Sequence, residues 1–130
     1  MADIDKFLVT LHKHNGSDLH LASDTPPALR LHGTITQMKV DPLPASQVNK
    51  MLDQIMTKKA RQQFVETGDA DFAYELEDVG RIRCNAFMDR KGPGGVFRLV
   101  PSAFQTADQL GLDLSILNLC GLRKGLVLIA

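Results

Sequence analysis

Residues 69–100 read DADFAYELEDVGRIRCNAFMDRKGPGGVFRLV. Apolar and polar residues alternate in three runs, 69–76, 80–88 and 94–100, separated by the turn-forming stretches EDVG and DRKGPG. Alternation has the period of a strand, and short turns join antiparallel neighbours. The stretch therefore predicts a three-stranded antiparallel meander. On its middle strand Arg81, Arg83, Asn85 and Phe87 face one way, and Ile82, Cys84, Ala86 and Met88 face the other, toward the core. RKGPGG (90–95) is glycine-rich but carries no GK[ST] and precedes a strand, so it reads as a hairpin turn and not as a phosphate cradle.

Upstream, residues 3–14 place Ile4, Phe7, Leu8 and Leu11 at helical spacing, with Asp3 or Asp5 available as a cap and Gly16 placed to end the helix. SDLHLA (17–22) alternates Leu19 and Leu21 against Asp18 and His20, the pattern of a half-buried strand. ALRLHG (28–33) and TITQMKV (34–40) give two more strands, with Gly33 at the bend. Ser46 can open a helix whose apolar stripe is Val48, Met51, Leu52, Ile55 and Met56. Thr57 can cap a second helix, KKARQQFVET, that Gly68 ends. The polar face of that helix, with Lys58, Lys59 and Arg61, reads as a solvated surface.

These elements predict an α+β domain over residues 1–100. Its antiparallel sheet of five or six strands carries helices on one face, in the manner of PAS or profilin-like folds. Residues 101–121 read as a linker with short helical pieces. Residues 122–130 end on KGLVLIA, whose apolar run does not alternate. Such a run is typical of a strand buried on both faces in a parallel sheet, so it reads as the first strand of a further domain.

The totals exclude several classes of function. Fifteen Lys plus Arg balance fifteen Asp plus Glu, for a formal net charge of zero, which gives no long-range attraction for nucleic acid or an anionic membrane. No run reaches the roughly 18 apolar residues of a membrane span, and Asp3, Asp5 and Lys6 break any signal-peptide pattern. The expected location is cytoplasmic. Cys84 and Cys120 have apolar neighbours and no CxxC spacing, so both read as reduced core cysteines.

Chemistry is sparse. Asp18 and His20 share a strand face but lack a third ligand at a telling spacing, so surface or interface polarity is the plainer reading. His12 and His14 do not share a helix face. No nucleophile–base set or HExxH motif is present. Arg83 and Arg98 are 15 residues apart across one hairpin. On the same face, two guanidiniums would converge, an arrangement suited to bidentate contacts with phosphate oxygens. Partnering by Asp or Glu on a solvated sheet face is the alternative from spacing alone. The residues describe a binding or regulatory domain and not a complete enzyme.

Together, GSDLHLASDTPPALRLHG, GRIRCNAF, GGVFRLVP and KGLVLI resemble, in order and spacing, the N-terminal domain of the secretion ATPase superfamily, over about residues 4–130. Within it the chain is most similar to the retraction motors of type IV pili. Its helix follows directly on Met1, whereas assembly motors and type II secretion ATPases usually carry extra N-terminal domains. The resemblance implies that GLVLIA runs into a Walker A loop of a RecA-like domain. Without that loop and the carboxylates for magnesium, the chain is not expected to hydrolyse ATP. It implies that Arg83 and Arg98, with Arg81 as a weaker candidate, reach ATP phosphates across an interdomain cleft. It further implies ATP and Mg2+ as cofactors of the parent, a homohexamer, an inner-membrane platform protein as partner, and no nucleic acid. The competing readings are a stand-alone PAS-like module with a small molecule in the concave face of the sheet, the equivalent domain of a pilus-assembly or type II secretion ATPase, and an enzyme using Asp18 and His20.

Overall fold

The computed structural model describes residues 2–101 and 106–128. Helix α1 (Asp5–Lys13) leads into strands β1 (Asp18–Ala22), β2 (Ala28–Leu31) and β3 (Thr34–Gln37). Helices α2 (Ala45–Ile55) and α3 (Lys58–Thr67) follow, then strands β4 (Asp69–Leu76), β5 (Gly80–Asp89) and β6 (Gly92–Leu99), and a short helix α4 (Leu114–Leu119). The six strands form one antiparallel sheet in the order β3-β2-β1-β6-β5-β4. The α+β architecture and the meander follow the expectation from the sequence.

Local chemistry accounts for the element ends. Thr57 Oγ1 accepts from the Ala60 amide at 3.2 Å, and Gly68 stops α3 in the left-handed region at φ 73°. The β2–β3 turn takes positive φ at His32 and Gly33, the signature of a tight two-residue hairpin. The Asp89 carboxylate accepts the amides of Lys91 and Gly92 and closes the β5–β6 hairpin. Two expected caps are corrected. Pro44 precedes α2, so Ser46 lies inside its first turn. Ile4 is the N-cap of α1, and Asp5 instead accepts from the Ala2 amide at 2.7 Å and the Tyr74 hydroxyl at 3.0 Å. Burial, then the Asp5 hydrogen bond and charge, push the Tyr74 hydroxyl up to about 12.

The helices cover one face of the sheet. Phe7, Leu8 and Leu11 of α1, Val48, Met51 and Leu52 of α2 and Phe64 of α3 close over Leu19, Leu21, Phe97, Ile82, Cys84 and Ala86. Phe97 is fully buried at the centre of this layer. Met88, expected inside with Ile82 and Cys84, is 52% exposed because the hairpin end of β5 runs past the helices.

The topology has one consequence for function. After β3 the chain passes through α2 and α3 to the far edge of the sheet and returns by β5 to lay β6 against β1. Asp18 thereby becomes the register partner of Arg98, which is paired on its other side with Arg83.

Residues 106–128 differ from this body. Every residue of α4 is exposed, and so is Cys120, contrary to the expectation of a core cysteine. Leu126, Val127 and Leu128 are exposed and form no strand among the described residues. A strand needs a neighbour to satisfy its amides and carbonyls, and none lies beside them among the described residues. Positions 102–105 of the expected linker and 129–130 of the expected strand lie outside the described residues.

Candidate functional site

The second face of the sheet carries the polar side chains. Crossing it from β3 to β4, the paired positions are Ile35, Arg30, Asp18, Arg98, Arg83 and Ala73. The next row on the same face is Gln37, Ala28, His20, Val96, Asn85 and Asp71. Arg83 and Arg98 are therefore direct cross-strand partners on one face. With Asp71, Asn85 and Val96 they line a cleft of about 260 Å³.

Like charges directly opposite on a sheet destabilise it unless something lies between or beside them. Here two carboxylates do. Arg98 Nε donates to Asp18 Oδ1 at 2.7 Å. Arg83 Nη2 stands 4.0 Å from Asp71 Oδ1, a looser pair between two exposed side chains that contributes little. Asp18 also takes Ser17 Oγ at 2.8 Å and faces Arg30 Nε at 3.2 Å, both on Oδ2. Its side chain is only 2% exposed, although the sequence reading left it at the surface. Burial alone would raise its carboxyl. Hydrogen bonds from Arg98 and Ser17, with the Arg98 and Arg30 charges, outweigh this and hold it below the ordinary carboxylate range.

Arg98 nevertheless remains 66% exposed. Its contact with Asp18 uses Nε, and its two terminal nitrogens make no hydrogen bond among the described residues. The fork that binds oxyanions stays available. Arg81 shares the face, opposite Glu75, but does not line the cleft. Asn85 Nδ2 donates to Asp69 Oδ1 at 3.1 Å. Phe87 lies against Gly94, where a Cβ would come within 2.7 Å of the ring and 3.0 Å of the Leu21 carbonyl oxygen. Glycine is the residue that permits this contact.

The other sequence candidates separate. Asp18 is committed to arginines, and His20 Nε2 is buried without a hydrogen-bond partner among the described residues. They form no Asp–His couple. Cys84 is buried, and burial pushes its thiol up to about 12, so it is unreactive. No cluster of three His, Cys, Asp or Glu that could hold a metal exists among the described residues. No helix of the described residues is long and apolar enough to cross a membrane. Arg30 and Asp71 escaped the sequence reading. Asp71 alternates on the same face as Asp69 and was legible in principle. Arg30 and Asp18 join the site only through the β1–β6 pairing.

An α+β fold with a six-stranded antiparallel sheet and helices on one face matches the N-terminal domain of PilT. The chain is homologous to PilT. It is 36% identical over 127 residues to the type IV pilus retraction ATPase PilT of Pseudomonas aeruginosa, and the match covers 98% of the chain. A solved structure of the pilus retraction motor PilT with bound ADP superposes with a TM-score of 0.81 at 29% identity over 93% of the chain. The ATPase DotB of Legionella pneumophila shares the fold, with a TM-score of 0.72 at 20% identity over 88% of the chain. The chain spans just over a third of these relatives, 37% of the curated PilT and 35% of the solved PilT chain. No family model matches it.

Proposed function

We propose that this chain is the N-terminal regulatory and oligomerisation domain of a hexameric ATPase motor that retracts type IV pili. In this reading it supplies arginines to ATP bound on a RecA-like domain. The observation that carries the reading is the facing pair Arg83 and Arg98 on the helix-free side of the sheet. Two guanidiniums on adjacent strands offer several N–H donors toward one side, and a phosphoryl group presents three oxygens to meet them. The free terminal nitrogens of Arg98 and the weakly held Arg83 fit triphosphate oxygens. Magnesium would take its ligands from the ATPase domain of the parent. ATP supplies the phosphoryl chemistry when bound.

The role of this domain is then to bind and to sense. Charge on the γ-phosphate draws the arginines in and closes the interdomain cleft, and loss of that phosphate releases the domain. Around a ring, closure and release become mechanical work. Arg81 stands one alternation from Arg83 and serves as a secondary contact. The exposed apolar segment Leu126–Leu128 and the apolar cleft of about 540 Å³ lined by Leu112, Ile116, Leu119, Cys120, Val127 and Leu128 fit a linker and strand that pack against that further domain. The inner-membrane platform protein of the pilus machine is the proposed partner, and nucleic acid is not.

The test is ATP hydrolysis by the parent motor carrying Arg83→Ala. The expected outcome is a fall of about 10³-fold or more in turnover, in the range of other phosphate-contacting arginines. Hydrolysis near the unaltered rate would remove Arg83 from the mechanism.

A further inference from the structure

We infer that Asp18 is the positioning residue of this site: by gripping Nε of Arg98 it holds the guanidinium fork of Arg98 outward beside Arg83, ready for a phosphate oxyanion. The inference rests on the phosphate reading above and adds a residue on a different strand. Asp18 comes from β1, eighty positions from its partner in the chain.

The geometry is asymmetric in an informative way. Asp18 is 2% exposed, whereas Arg98 is 66% exposed. The carboxylate is a fixed internal point, and the guanidinium is the part that reaches out. The contact at 2.7 Å engages Nε, and neither terminal nitrogen of Arg98 is used by Asp18. A carboxylate serving only to neutralise Arg98 would do so best by taking its fork, which would block the anion site. Gripped at Nε, the side chain keeps its charge and two donors while losing rotamer freedom in advance.

Arg30 keeps this arrangement from cancelling itself. Its Nε stands 3.2 Å from Asp18 Oδ2, and its Nη1 donates to the Gly33 carbonyl oxygen at 3.1 Å, so it is anchored at both ends. Asp18 thus carries one negative charge between two arginines, and the trio keeps a net positive charge toward the cleft, next to Arg83 and its weakly paired Asp71. Ser17 Oγ completes the shell of Asp18 at 2.8 Å.

Charge and orientation make opposite claims here. Asp18→Asn removes a negative charge beside an anion site, so simple electrostatics requires tighter binding of phosphate. Loss of the grip requires weaker binding. The experiment titrates inorganic tripolyphosphate into the 130-residue chain at low ionic strength and follows backbone amides and arginine Nε–H resonances by NMR. In the unaltered chain, Arg83 and Arg98 should respond, and the Arg98 Nε–H signal should be sharp and protected before any ligand is added. Asp18→Asn is expected to lose that protection and bind about two- to tenfold more weakly, the cost of ordering one free side chain on binding. Arg98→Lys leaves the buried Asp18 paired and removes the fork, so it remains informative even where Asp18→Asn folds poorly. It should bind as weakly as Arg98→Ala. Equal or tighter binding by Asp18→Asn, or unaltered binding by Arg98→Lys, overturns the positioning role while leaving the phosphate reading intact. No response of the unaltered chain to tripolyphosphate defeats the phosphate reading itself and this assignment with it.

Discussion

The two faces of strand β5 carry the same backbone and opposite chemistry. On one side Ile82, Cys84 and Ala86 are wholly buried beneath the helices. On the other, Arg81 and Arg83 stand in solvent with Asn85 half-buried beside them. The buried side is held by many small contacts that no single residue dominates. The open side gains little stability from its exposed pairs and concentrates its meaning in a few charges. The buried core and the exposed arginines are thus separated by one residue of register, and a slip by one position would exchange them.

The sharpest way to probe this contrast is to damage each face in turn. Phe97→Ala deletes the fully buried ring at the centre of the helix-covered layer and should cost about 3–5 kcal/mol, measured by urea unfolding. A loss under about 1 kcal/mol would mean that the helices close over the vacancy. Asp18→Asn strikes the buried carboxylate of the open face, and should cost about 1–3 kcal/mol near neutral pH. Its pH dependence follows from the depressed carboxyl. The unfolded carboxyl titrates near about 3.9, and the folded one titrates lower. The contribution is therefore complete above the unfolded value and disappears as pH falls through the folded value. Unfolding curves of Asp18→Asn and the unaltered chain should converge in acid. A constant gap down to pH 2 would deny Asp18 its ionic role. Arg83→Ala, on the fully exposed part of the same face, should change stability by no more than about 0.5 kcal/mol. If it unfolds the chain, the two faces are not separable and loss of turnover in the parent would say nothing about phosphate.

A second contrast lies between the body of the domain and residues 106–128. The same residue types behave differently in the two. Leucines in β1 are buried, while Leu114, Leu126 and Leu128 are exposed to solvent. Composition does not distinguish them. A leucine is buried when another element faces it, and 106–128 has no such element among the described residues.

Alternation between 69 and 100 determined the meander, the sides of β5 and the arginine spacing, because side-chain direction on a strand has a period of two and needs no partner to be read. Thr57 and Gly68 were legible for the same reason, since a cap acts on its own helix within a few residues. Cys120 misled, because hydrophobicity states a preference for burial and does not supply the cover. The arginine cluster was half legible. Arg83 and Arg98 share one hairpin, so their meeting was local. Asp18 and Arg30 met Arg98 only when β6 came to lie between β5 and β1, eighty residues of chain being closed into one ladder. That pairing is set by the helices burying their apolar stripes over the whole sheet at once, a non-local balance that no short stretch of sequence contains.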